Sequence, residues 1–150
     1  MSTFIQRKIY VASSWRNSFQ PEIVQLLRSK GHEVYDFQNP MPGNHGFSWS
    51  QIDPDWVNWT PQKFADVVQK SPIAREGFKL DKNALDWCDT CVLVLPCGRS
   101  AHLEAGYACG QGKRVVFFLH EDRFEPELMY LLGNSLVCTH SDLLAAVQAS

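Results

Sequence analysis

CVLVLPCGRSAHLEAGYA, residues 91–108, decides the fold. Its first five residues, Cys91-Val-Leu-Val-Leu95, form an apolar run without polar alternation. That is the pattern of a strand buried on both faces, and such strands belong to parallel sheets covered by helices. A polar loop follows, and then a helix carrying Glu104 just inside its start. Ligands of doubly wound sheets bind outside the carboxyl ends of the strands, where this loop lies. A carboxylate therefore stands beside a candidate anion-binding turn.

Outward from this stretch, strands and helices alternate. Lys8 to Ala12 reads as a first strand, and Ser13-Ser-Trp-Arg-Asn17 as the loop into a helix. Pro21 suits that helix's first turn, Ile23, Val24, Leu26 and Leu27 give its apolar face, and Gly31 is its stop. His32 to Phe37 is a second strand. Helices are expected over Gln62 to Lys70 and, with Ser71 capping and Pro72 in the first position, onward to Trp87. Arg114 to Leu119 and Ser135 to Thr139 supply the fourth and fifth strands, and Ser141-Asp142 opens a last helix through Leu143, Leu144 and Val147. The alternation implies a three-layer α/β fold, a flavodoxin-like or Rossmann-like doubly wound parallel sheet of about five strands in the order 2-1-3-4-5. The length of 150 residues suits a single domain, 1–150, with one core.

Composition narrows the partners. A hydrophobic fraction of 45% with 20% charged residues is that of an ordinary globular protein. The formal net charge of −2 carries no electrostatic footprint for nucleic acid. Arg7 and Lys8 precede only a short apolar run, so neither a signal peptide nor a membrane span is expected, and the chain is read as cytoplasmic. Cys88, Cys91, Cys97, Cys109 and Cys138 are odd in number and mostly fall in or beside apolar segments, which suits buried, reduced thiols. Cys88-x-x-Cys91 lacks the second ligand pair of a zinc site, so no metal is expected.

In the order 2-1-3-4-5 the topological switch lies between the first and third strands, where two loops meet. They bring Ser13, Ser14, Arg16 and Asn17 together with Gly98, Arg99, Ser100 and the amides of a helix N-terminus. Such groups suit phosphate or ribose oxygens, although both arginines could equally be solvated. Glu104 follows Ser100 by four residues, one too many for a capping box, and shares its face with the small residues Ala101, Ala105 and Ala108. It is read as a ligand-contacting or catalytic carboxylate, the alternative being a helix-start glutamate favoured by the macrodipole. Asp81 falls on the stripe traced by Ile73, Gly77, Ala84, Leu85 and Cys88. It sits at the solvent edge, pairs with a neighbouring base, or projects into a site, where burial would raise its pKa. Residues 38–60 make a loop too long for an ordinary connection, and Phe47, Trp49, Trp56 and Trp59 argue against disorder. Phe47 and Trp49 could stack on a nucleobase, or the rings could close a small core or a dimer contact. His102 could serve as an acid or base near the site but is read as a solvated helix-start histidine.

The chain resembles the nucleoside 2-deoxyribosyltransferase family, including its relatives that hydrolyse deoxynucleoside monophosphates. The resemblance runs from Lys8 to about Leu119, through Ile9-Tyr-Val-Ala12 with its Ser-rich loop, the Asp81 to Asp89 spacing, and most specifically Ser100-Ala-His-Leu-Glu-Ala-Gly-Tyr-Ala108. It implies that Glu104 is the nucleophile at the anomeric carbon, that Tyr10 orients it, and that Asp81 contacts or protonates the departing base. It also implies a small-molecule nucleoside or nucleotide substrate, no cofactor, and a homodimer or higher homo-oligomer. Family transferases usually carry an aspartate six residues before the nucleophile, where this chain has Gly98; the hydrolases tend to a small residue there, which points to a 5′-phosphorylated substrate. The family also borrows a residue from a neighbouring subunit's C-terminal region, for which Asn134 is a loose candidate. Two other functions fit the same features: a glycohydrolase of an NAD-type dinucleotide, and a nucleotide-binding module without turnover.

Overall fold

The structure, a computed structural model, describes residues 3–120 and 125–150. Five strands, β1 (Lys8–Ala12), β2 (Glu33–Asp36), β3 (Thr90–Leu95), β4 (Arg114–Leu119) and β5 (Ser135–Val137), form one sheet in the order β2-β1-β3-β4-β5. Every neighbouring pair is parallel. Helices lie on both sides: α1 (Gln20–Ser29) and α5 (His140–Gln148) on one face, α4 (Arg99–Gly110) on the other.

The alternation of side chains along each strand explains the two layers. Ile9 and Val11 of β1, Val92 and Val94 of β3, and Val116 and Phe118 of β4 pack with Ile23, Val24 and Leu27 of α1 and Leu143, Ala146 and Val147 of α5. The intervening residues, Tyr10 and Ala12, Cys91 and Leu93, Val115 and Phe117, are also buried and face the α4 side. There the buried α4 residues are the three alanines, Ala101, Ala105 and Ala108, whose small side chains let the helix lie close on the sheet. All six residues of β3 are buried, as its unbroken apolar run requires.

By chain contacts the molecule divides at Asp36/Phe37 and Asp86/Trp87 into two compact units, the sheet with its helices and the insertion Phe37–Asp86. The insertion holds 3₁₀ turns at Trp49–Gln51 and Trp56–Asn58, helix α2 (Pro61–Lys70) and nearly all of α3 (Pro72–Trp87). Thr60 Oγ1 accepts from Lys63 N and Ser71 Oγ from Ala74 N, which is why each helix starts one residue after a hydroxyl. Trp49 lies edge-on to Phe47, Trp59 and Phe64, and the Trp59 indole donates to Asp53 at 2.7 Å. Half-buried Phe47, Trp49 and Trp59 of the long segment therefore form an aromatic cluster with Phe64 within this unit.

Several boundaries differ from the sequence reading. Strand β2 loses its first expected residue because Gly31 turns the chain at φ +93° and His32 points its ring back to accept from the Arg7 amide at 3.0 Å. Strand β5 stops at Val137 because Thr139 caps α5, its Oγ1 accepting from Asp142 N, so that helix begins at His140. Ile73 is 43% exposed, so the inward stripe of α3 runs through Ala74, Ala84 and Leu85 instead. Of the five thiols, all free, Cys88 and Cys91 are buried and Cys97 and Cys109 half-buried, but Cys138, one residue past the edge strand, is exposed.

Candidate active site

The carboxyl ends of β1 and β3 are neighbours, in register from Ile9↔Thr90 to Ala12↔Leu93. The loop after β1 folds onto the end of β3. Ser13 Oγ donates to Val94 O at 2.8 Å, and Asn17 Nδ2 donates to Val94 O at 3.2 Å and Pro96 O at 3.0 Å. Asn17 Oδ1 accepts from Phe19 N at 2.8 Å, which sets the entry to α1. Ser14 shapes the same turn, its Oγ accepting from Arg16 N and its carbonyl from Asn17 N. Arg16 and Arg99 are exposed, one on each loop, with Ser100 exposed beside Arg99.

Gly98 is the N-cap of α4 and no side chain caps the helix, so its first amides keep their donor capacity toward a ligand. A Cβ at Gly98 would meet nothing within 4 Å, so the glycine leaves open space at the helix start rather than fulfilling a steric need. Glu104 lies in the second turn, half-buried. Its flank is that of the buried Ala101 and Ala108, which sets the carboxylate at the margin of the helix–sheet contact. Electrostatics locate it further. Burial pushes the Cys97 thiol up to about 12, with the Glu104 charge adding to the shift. Cys91 is likewise held well above the usual thiol range by burial, with Cys88 and Glu104 contributing. Cys91 is the register partner of Tyr10, fully buried on the same face and stacked on Tyr35 at 5.2 Å. Glu104 and Tyr10 thus both lie near Cys91.

Phe47, Trp49 and Asp81 belong to the insertion unit. The Phe47 ring lies against the backbone of Gly77 in α3, and Asp81, half-buried, follows one turn later on that face. Asn134, exposed after the 3₁₀ segment, pairs with β4: its backbone N donates to Val115 O and its Oδ1 accepts from Val115 N, both at 2.8 Å.

His102 is half-buried and has a partner at each ring nitrogen. The Gly98 carbonyl, which can only accept, takes a hydrogen bond from Nδ1 at 2.7 Å, and Nε2 meets Tyr130 Oη at 2.9 Å. In the neutral ring that fixes the proton on Nδ1 and makes Tyr130 the donor. The pair lines a cavity of about 550 Å³ with Leu95, Pro96, Cys97 and Glu127. Tyr130 sits in a 3₁₀ segment of mostly exposed leucines, Leu128–Leu132, where no periodicity marks it as inward-facing. Among the described residues, no group of three or more His, Cys, Asp or Glu is arranged to hold a metal, and no helix is long and apolar enough to cross a membrane.

Fold and loop geometry together define a doubly wound α/β protein with its candidate site at the topological switch. No family model matches the chain, and no curated protein matches it. Among solved structures it is similar to the Clostridium botulinum CMP N-glycosidase BcmB, with 17% sequence identity, a TM-score of 0.52, and coverage of 94% of this chain and 98% of that one. At that identity the likeness shows the shared fold.

Proposed function

We propose that this chain is an N-glycosidase of the nucleoside 2-deoxyribosyltransferase type, acting on a (deoxy)nucleoside or, by preference, its 5′-monophosphate. The observation that carries the reading is the half-buried Glu104 carboxylate, in the second turn of an uncapped helix at the switch point and in the neighbourhood of buried Tyr10. The fold shared with a CMP N-glycosidase supports it. In this mechanism a Glu104 oxygen attacks C1′, the C1′–N bond pair leaves with the base, and Asp81 gives the base its proton. Water then attacks C1′ of the glycosyl ester, its hydroxyl going to the sugar and its proton back to Asp81, and Glu104 is freed. A second base in place of water gives transfer. Tyr10 orients the nucleophile, and Ser14, Arg16, Arg99, Ser100 and the α4 amides take the phosphate and sugar oxygens.

The 150 residues are read as one functional domain in the cytoplasm, where five free thiols fit a reducing compartment. The exposed Leu128, Leu131 and Leu132 supply apolar surface that a second copy would cover in a homo-oligomer, which light scattering of the purified protein tests.

Chromatography of free bases released from nucleosides, their 5′-monophosphates and NAD, by wild type beside Glu104→Ala, tests the reaction. Base release that disappears in the variant is the expected result. Release from NAD alone would make the chain a dinucleotide glycohydrolase. No release from any substrate by folded wild type, with nucleotide still bound, would make it a binding module.

A further inference from the structure

We propose that Asn17 is a positioning residue that holds the Glu104 helix in register with the loop after β1, an inference that rests on the glycosidase reading. An asparagine in this loop looks from sequence like a substrate donor. In the structure it is 5% exposed and its amide is committed within the chain. Both Nδ2 hydrogens go to carbonyls at the end of β3, Val94 O and Pro96 O, and Oδ1 takes the Phe19 amide. No donor remains for a ligand.

Pro96 lies two residues before Gly98, where α4 begins, and Glu104 is carried on the second turn of that helix. The start of α4 has no capping side chain, and the space around Gly98 is open. Hydrogen bonds hold this turn from two sides. His102 Nδ1 on Gly98 O ties it to its own helix, and Asn17 on Pro96 O ties it to the opposite loop. Asn17 also fixes the start of α1 through Phe19, so one buried amide sets the spacing of both loops at the switch point. Its role is to hold C1′ and the Glu104 carboxylate at attacking distance, where a displacement of about 1 Å costs on the order of 100-fold in rate.

Steady-state base release is compared for wild type, Asn17→Asp and Asn17→Ser. Aspartate keeps the shape and the Phe19 bond but loses both donors and turns a negative charge on two carbonyls. Serine keeps one donor of shorter reach. The expected result is a kcat lowered about 100-fold in Asn17→Asp and about tenfold in Asn17→Ser, with KM changed less than about threefold. A raised KM with kcat preserved would make Asn17 a substrate contact and overturn the proposal. A lowered melting temperature with kcat unchanged would do the same, leaving a purely structural residue. If Asn17→Asp does not fold, the Asn17→Ser result decides alone. Wild type without turnover would sink the glycosidase reading instead. The clamp is then read by amide hydrogen exchange, where Asn17→Ser should speed exchange at Phe19 and residues 97–101 selectively, and unchanged exchange there would overturn it.

Discussion

Gly133 lies so close to Phe117 that a Cβ on the glycine would run into the ring, 2.8 Å from Cδ2, and reach 3.0 Å from the Val115 carbonyl oxygen. The backbone at Gly133, φ −83° and ψ 176°, is open to any residue, so the need for glycine is steric rather than conformational. Phe117 stacks on Tyr130 at 4.6 Å, and both residues are buried. Gly133→Ala must therefore displace a buried aromatic ring or a strand carbonyl. Overpacking of this kind costs about 1–3 kcal/mol. Urea unfolding of the variant should show a lower midpoint with an unchanged slope, and a midpoint equal to wild type would mean that the 3₁₀ segment yields freely.

The fold was legible because its signals are local. The run Cys91–Leu95 has no polar alternation and proves buried throughout, and Arg114–Leu119 matches the strand residue for residue. Pro21, Pro72 and Ser71 mark helix starts through chemistry that acts within one turn. Where the reading slipped, a residue far along the chain or a cap decided. His32 leaves the strand for the amide of Arg7, and Thr139 caps a helix instead of extending β5. The hydrogen-bond partners of the switch-point residues were not legible in the sequence. Ser13 and Asn17 follow β1, and their hydrogen bonds go to the β3 carbonyls, a partnership between residues about eighty positions apart that no spacing rule reveals. The same holds for His102, whose partner Tyr130 is 28 residues away.

Acid should loosen the join between the chain's two ends. Burial, and then the charge of Arg7, lowers the pKa of His32 below 6.5, against a smaller opposing effect of Asp89. Its Nδ1 accepts from the Arg7 amide, and Arg7 in turn donates to Val147 O and Ala149 O of the C-terminal segment. A group whose folded pKa lies below its unfolded one adds stability that is present above the unfolded pKa, about 6.5. That contribution is lost as the pH falls from there toward the lowered folded value, because the unfolded chain binds the proton first. Thermal unfolding should therefore show a lower Tm at pH 5 than at pH 7.5, and the drop should shrink in His32→Asn, which can still accept from the Arg7 amide. Equal losses in the two proteins would assign the acid sensitivity to other groups.

Thiol reactivity should separate the cysteines by environment. The Cys97 thiol is pushed up to about 12 and the buried Cys91 well above the usual range, and burial raises Cys88 and Cys109 as well. Only the thiolate reacts, so these four stay protonated near neutral pH. Cys138 is exposed. Native protein at pH 7.5 should give one fast equivalent with a disulfide reagent, absent in Cys138→Ser, and the remaining thiols only on unfolding. A second fast equivalent that survives the serine substitution would show that burial does not protect all four of the other thiols.

Gly98 should decide between phosphorylated and unphosphorylated substrates. It caps α4 with φ −95° and ψ −157°, and a Cβ there meets no atom within 4 Å, so an aspartate fits without strain and is itself a favourable cap. Arg16 lies exposed in the loop after β1, and Arg99 lies exposed at the start of α4. In the proposed reaction they take the 5′-phosphate, and charge-assisted bonds of this type contribute roughly 1.5–3 kcal/mol. Gly98→Asp would set a carboxylate in the same space and oppose the phosphate by like-charge repulsion. The expected outcome is at least a tenfold fall in kcat/KM for the 5′-monophosphate with the value for the nucleoside held or raised. Arg99→Gln should move the two substrates in the same sense, mainly through KM. Equal losses on both substrates would show that the space beside Gly98 holds the base or sugar rather than the phosphate.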